Sequence, residues 1–350
     1  MTAEPVRYLA WTVGLIGALG SMAGWWLEPT VFPHAWLAAL SAWIGWPLGC
    51  LALVLIHALT GGRWGEVLRP QLMGGIDVLP LLLPAILPML FVLPQLYPWT
   101  RPAEAAQLGN AFYLNIPFGT GRGIFYLIVW FGLGALVGRN LRRGRSLSRL
   151  APVGLILLGV SVTFASIDAT MSLDPHFVSS AYGMIAASQA GLLALSISVL
   201  GAAISRPLQV NELDDAGRLL LGLLILWAYL DFMQLLIVWQ SDLPPEAHWY
   251  IERLHGGWGL VALLVLIAHF VLPFFALMSP RLRRSACGIA AITALLVLMG
   301  IVRAWWLVLP AASRSVTWVD VSAILAMGGL SAGLALRGSG PYAVPAPSHG

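Results

Sequence analysis

Lysine is absent from this chain: all nineteen basic residues are arginines. Charged residues of both signs make up only 10% of it, against roughly 25% in soluble domains. That scarcity excludes an ordinary water-soluble fold. There is no basic face on a soluble module, so the net charge of +4 gives no footing for nucleic-acid binding. The two cysteines, Cys50 and Cys287, lie in or beside apolar segments with no CxxC or CxxCH spacing. Covalent haem, an iron–sulfur cluster and a disulfide framework therefore have no ligands to rest on. Also missing are short alternating apolar and polar strands, which a membrane β-barrel requires.

Instead there are long apolar runs. Hydrophobic residues form 59% of the chain, the mean hydropathy is +0.84, and Leu- and Ala-rich segments recur at the length of a bilayer-crossing helix. Ten spans fit, at about residues 8–27, 36–60, 78–97, 122–138, 151–167, 180–205, 217–240, 257–278, 285–309 and 316–336, each closed by Pro, Gly or charge. The expectation is an all-α polytopic membrane protein, a single integral membrane domain over residues 1–337, with a retained first helix. A Pro-, Gly- and Ser-rich tail over 338–350 is expected to be disordered.

Arginines collect after the second span (Arg63, Arg69), the fourth (Arg139, Arg142, Arg143, Arg145, Arg149) and the eighth (Arg281, Arg283, Arg284), while Glu28, Asp168, Asp174, Asp242 and Glu246 mark the opposite loops. The positive-inside rule then places both termini in the cytoplasm. In the third span Pro80, Pro84 and Pro88 recur every four residues. Each removes a helical donor on one face, so a bent helix is expected, serving either packing or a polar pathway.

Polar side chains inside the spans carry what chemistry the sequence offers. Asp231 and Gln234 sit in the seventh span on one helical stripe with Trp227 and Val238. An acid at that depth costs about 3 kcal/mol on insertion scales, so it has a partner, a water path or a task. Two readings stand: a protonatable carboxyl with Gln234 holding water or ligand, and a neutral Asp bonded to another helix. Gln189 in the sixth span and His269 in the eighth could join them. Pro273, four residues after His269, cannot donate to its carbonyl, so the helix is expected to open beside the imidazole. His57 precedes Thr60-Gly-Gly-Arg63-Trp64-Gly65, where the glycines end a helix and a terminal cation suits its dipole. Only His57 and His269 fall inside the spans, at different depths, which argues against a bis-histidine haem. Asp168, Asp174 and His176 lie within nine residues and read either as a metal cluster or as turn chemistry around Pro175. No catalytic or metal-ligating set is assigned.

Several stretches read together resemble a known family. They are His57-Ala-Leu-Thr60-Gly-Gly-Arg-Trp-Gly65, Leu96-Tyr97-Pro98-Trp99, Asp168-Ala-Thr-Met-Ser-Leu-Asp174-Pro-His with Ser180-Ala-Tyr-Gly183, and Asp231-Phe-Met-Gln234 with Trp239-Gln-Ser-Asp-Leu-Pro244. Trp249-Tyr250 to Arg253, Gly256-Gly-Trp258-Gly259 and His269-Phe-Val-Leu-Pro273-Phe274 complete the set. In order and spacing these resemble the ActF-like membrane subunit of alternative complex III, within the NrfD/PsrC-like integral membrane proteins. The resemblance implies two four-helix bundles plus two flanking helices in the bacterial inner membrane. It also implies a respiratory quinol:cytochrome c (or related acceptor) oxidoreductase in which this chain binds no redox cofactor. Iron–sulfur clusters and c haems would sit on partner subunits. Quinol or quinone, or protons, would meet this chain at Asp231, Gln234, His269, Asp168, His57 and Gln189. A structural anchor or scaffold is the alternative, and a secondary transporter a more distant one, since no inverted repeat is evident.

Overall fold

A computed structural model describes residues 3–337 except 107 and 206, and leaves aside the side chains at 3 and 245. The tail expected to be disordered, 338–350, lies outside the described residues. Helix α1 spans Ala3–Leu27, α2 Phe32–Thr60, α3 Arg63–Ile76, α4 Leu82–Leu96, the short α5 Pro102–Ala105, α6 Ile116–Arg142, α7 Ala151–Ala169 and α8 Tyr182–Ser205. Then follow α9 Val210–Ser241, α10 Pro244–Leu254, α11 Gly257–Leu264, a π turn Val265–Val271, α12 Leu272–Met278, the short α13 Pro280–Arg283, α14 Ala286–Val308 and α15 Trp318–Ala335. Among the described residues there is no strand, and ten segments are long and apolar enough to cross a membrane. The chain is an all-α polytopic membrane protein. Helices are the structure such a sequence can adopt in hydrocarbon, where every backbone donor must find its acceptor within the segment.

Prolines stand in the opening turns of α2, α6, α7 and α10, where their missing N–H would have had no intrahelical partner. Two capping boxes, Gln209 with Glu212 and Thr317 with Asp320, start α9 and α15. Gly61 and Gly62, at φ +68° and +98°, end α2, as the sequence leads one to expect.

Two regions differ from the sequence reading. Residues 63–76, read from their arginines as a loop, form α3, because Leu68, Leu72, Met73 and Ile76 recur at helical spacing and bury against the core. The third crossing is therefore two helices joined by a 3₁₀ turn, Leu79–Leu81, centred on Pro80. Pro88 and Pro94 lie inside α4, and Trp36 Nε1 donates to Ala85 O at 2.7 Å in the turn before Pro88. A neighbouring helix thus hydrogen-bonds the backbone of this proline-rich segment. The eighth crossing does not break at Pro273 either. It widens into the π turn, in which the Leu272 N–H reaches back five residues to Ile267 O.

α2 and α8 are the most buried crossings. They approach closely because Gly45 and Gly49 of α2 face Ala190 and Ala194 of α8, leaving no room for a larger side chain at Gly49. α2 also packs against α3, α7, α14 and α15, and α8 against α3, α7, α9 and α14. α1 and α15 form a pair at the flank, where Gly14 and Gly17 lie on the backbone of Leu325, Ala326, Gly329 and Leu330. Small residues provide such crossings where lipid supplies no hydrophobic drive between helices.

Candidate functional site

α8, α9, α10, α11 and α14, closed on the far side by α2, α6 and α7, surround a cavity of about 760 Å³. Its lining is mostly apolar. Three residues singled out in the sequence, Asp231, Gln234 and Gln189, meet in it. Asp231 Oδ1 accepts a hydrogen bond from Arg303 Nη2 of α14 at 2.5 Å, with Arg303 8% exposed and Asp231 36%. The acid is therefore neither alone nor bonded to a neutral group. It is half of an ion pair, and the pair presents almost no net charge to the cavity. One turn on, the buried Gln234 Oε1 accepts from Ser179 Oγ at 2.5 Å, which leaves its amide hydrogens as donors. Gln189 Oε1 is buried without a hydrogen-bond partner, as are the Nε1 atoms of the lining residues Trp227 and Trp249.

His269 stands behind this wall. It is fully buried on the π turn, its ring stacked on Trp227 at 4.4 Å between centroids with 23° between planes. Both its ring nitrogens are buried and unpartnered, as is Arg303 Nε, whose guanidinium lies 5.4 Å from the Trp227 ring. Trp227 is thus a partition, with the cavity on one side and the imidazole on the other.

The end of the cavity away from the arginine-rich loops is roofed by aromatic rings. Phe177 stacks on Trp249 of α10 at 4.5 Å and 14°, and Trp306 meets Trp249 edge-on at 5.9 Å. Arg253, fully buried in α10, lies under this roof with its guanidinium 3.7 Å from the Trp249 ring. It donates to Trp249 O at 3.0 Å and Leu307 O at 2.9 Å. Burial pulls that guanidinium below the ordinary arginine range, against the opposing influence of Tyr182 and Glu252.

Two other sequence candidates lie elsewhere. Asp168, at the end of α7, is clamped by Arg122 of α6 through Nε at 2.9 Å and Nη2 at 2.8 Å, and Tyr126 Oη donates to it at 2.7 Å. Its neighbours Ala169 and Thr170 line the cavity; Asp168 does not. Asp174 Oδ1 accepts the His176 N–H at 3.0 Å, an Asx turn, so these residues do turn chemistry and converge on no common ion. His57 ends α2 at the arginine-rich side, where its Nε2–H donates to Gly62 O at 2.8 Å and Trp64 meets its ring edge-on.

Sequence reasoning missed Arg303, although an arginine well inside an apolar span carries the same signal as Asp231. It also passed over Arg122, the partner of Asp168. Compared with models of known protein families and with curated proteins, the chain gives no match.

Proposed function

We propose that this chain is an integral membrane subunit of a respiratory quinol:cytochrome c (or related acceptor) oxidoreductase, holding no redox centre of its own and receiving the quinol headgroup in the cavity beside Asp231. One observation carries the reading: a bilayer-depth cavity of about 760 Å³ whose apolar wall is interrupted by a neutralised Asp231–Arg303 pair, Gln234 and Gln189. Small-molecule sites combine an apolar surround with a few convergent polar groups in this way. A quinone head is neutral, accepts hydrogen bonds at its carbonyls and donates them once reduced. The cavity offers donors at Gln234 Nε2 and the two indoles, and acceptors at Asp231 and Gln189 Oε1. On this reading electrons leave through iron–sulfur and c-haem subunits bound to the chain in the bacterial inner membrane. Asp231 then receives a quinol proton when Arg303 shifts toward the head.

Two measurements test it. Mild-detergent purification from native membranes is expected to bring down iron–sulfur and c-haem subunits, and their absence would overturn the complex. In the assembled complex, Asp231→Asn is expected to slow quinol turnover; unchanged turnover and proton uptake would remove its role.

A scaffold is the second reading, favoured by one specific observation: the carboxylates Asp231, Asp168 and Asp320 are each matched by an arginine of this chain, Arg303, Arg122 and Arg314. It expects the same substitutions to lower assembly while leaving turnover per assembled complex intact.

A further inference from the structure

The cavity has one apolar side that the fold leaves open. α9 packs against α12 at the arginine-rich end of the eighth crossing but diverges from α11 toward the other end. Between them runs a fork. Ile225, Tyr229 and Phe232 of α9 line one edge of the cavity there, and Leu263 and Leu266 line the other. All five are more than 40% exposed on the surface that a bilayer covers. The deep end holds the polar groups, with Trp227 and Gln234 buried. Toward water the same cavity is shut by the Phe177–Trp249–Trp306 roof, pinned by Arg253. The path from polar floor to open mouth is therefore continuous, apolar and directed into lipid.

We infer that the fork between α9 and α11 is the entry portal and tail-binding groove for a polyisoprenoid quinol, whose head lies at Asp231 and Gln234 while its tail leaves the protein between Phe232 and Leu263. This rests on the quinol reading of the cavity. The site favours this occupant over a phospholipid: among the described residues the charges at the floor, Asp231 and Arg303, neutralise one another, and a phosphate would bring an unmatched charge next to Asp231 in a low-dielectric site. A neutral head adds none. Its tail, which along an aqueous route would show apolar surface to water, stays in an apolar surround throughout when it enters from the bilayer.

The experiment uses the complex as purified in lipid nanodiscs and three photoreactive probes: a benzoquinone with a ring azide, the same quinone with a diazirine at the far end of its alkyl tail, and a phosphatidylethanolamine with a diazirine in its acyl chain. The ring probe is expected to label residues 227–234 and 299–307, and the tail probe 222–232 and 259–266, both competed away by unlabelled quinone. Ring labelling in the cavity with tail labelling elsewhere overturns the portal and leaves the quinol reading standing. Absence of ring labelling overturns the quinol reading itself. Fork labelling by the phospholipid that quinone does not displace also overturns the portal, since a structural lipid then fills it. Leu263→Trp, which narrows the fork from its exposed edge, is expected to cut tail labelling at least about tenfold. It should raise KM for long-tailed quinol while leaving KM for a tailless quinol unchanged. Equal effects on both substrates would sink the proposal.

Discussion

Removing the Arg303 guanidinium would leave the Asp231 carboxylate facing an apolar cavity without a countercharge, whereas removing both groups would leave no charge to satisfy. Arg303→Met and Asp231→Leu are therefore expected to be non-additive. Thermal unfolding in detergent should show each single variant destabilised and the double variant recovering much of the loss, with a coupling of about 1–3 kcal/mol. Additive losses would mean the pair contributes nothing. Ser179→Ala strips Gln234 Oε1 of its donor and should cost about 1 kcal/mol or slightly more, because a buried acceptor is left unmade. His269→Phe keeps the stack on Trp227 and deletes two unpartnered nitrogens. It is expected to hold or raise the melting temperature; a drop in quinol turnover without a drop in stability would place the imidazole on a polar path. Asp231, Gln234 and Gln189 were legible in the sequence because a polar group in hydrocarbon is costly wherever it lies. Their partners were not, since Arg303 is 72 residues from Asp231 and Ser179 is 55 from Gln234, and hydropathy carries no information on which helices meet.

Among the helices, close approach is decided by glycines that composition counts but cannot locate. A Cβ on Gly49 would collide with Ala190 O, and one on Gly17 with the backbone of Ala326. Gly49→Val, at the most buried crossing, should destabilise by about 1–3 kcal/mol or more and lower the yield of folded protein. Gly17→Leu, on the flanking pair, should instead free α1 from α15. Limited proteolysis would then cut near residue 28 in the variant and not in the parent, leaving the remainder folded. The turn chemistry of Gly61, Pro244 and Asp174 was readable because it is local. Residues 63–76 were not, because arginines at their start outweighed a helical stripe only four positions deep. Pro273 was rightly seen as a disturbance, but its outcome depended on packing: a π turn keeps the backbone bonded and swings His269 onto Trp227, where a simple break would have exposed carbonyls to lipid.

For the whole molecule, the distribution of arginine proposes an orientation, with both ends of the chain in the cytoplasm. In a Cys287→Ser background, Arg145→Cys is expected to resist a membrane-impermeant maleimide in intact cells and His176→Cys to react; both sites are exposed. The reverse pattern would overturn the orientation and, with it, the placing of the aromatic roof on the outer side. By itself the sequence determined that this chain lives in a bilayer as about ten helices, roughly where most of them lie, and which polar residues need an explanation. Those are consequences of transfer energies and local backbone chemistry, which act residue by residue. Tertiary structure alone decided that Asp231 is an ion pair and that three of six candidates share a cavity while His57, Asp168 and His269 do not. It also decided that the cavity is roofed toward water and forked toward lipid. These depend on which helices touch and at what angle, and that is set by contacts between residues far apart in the chain.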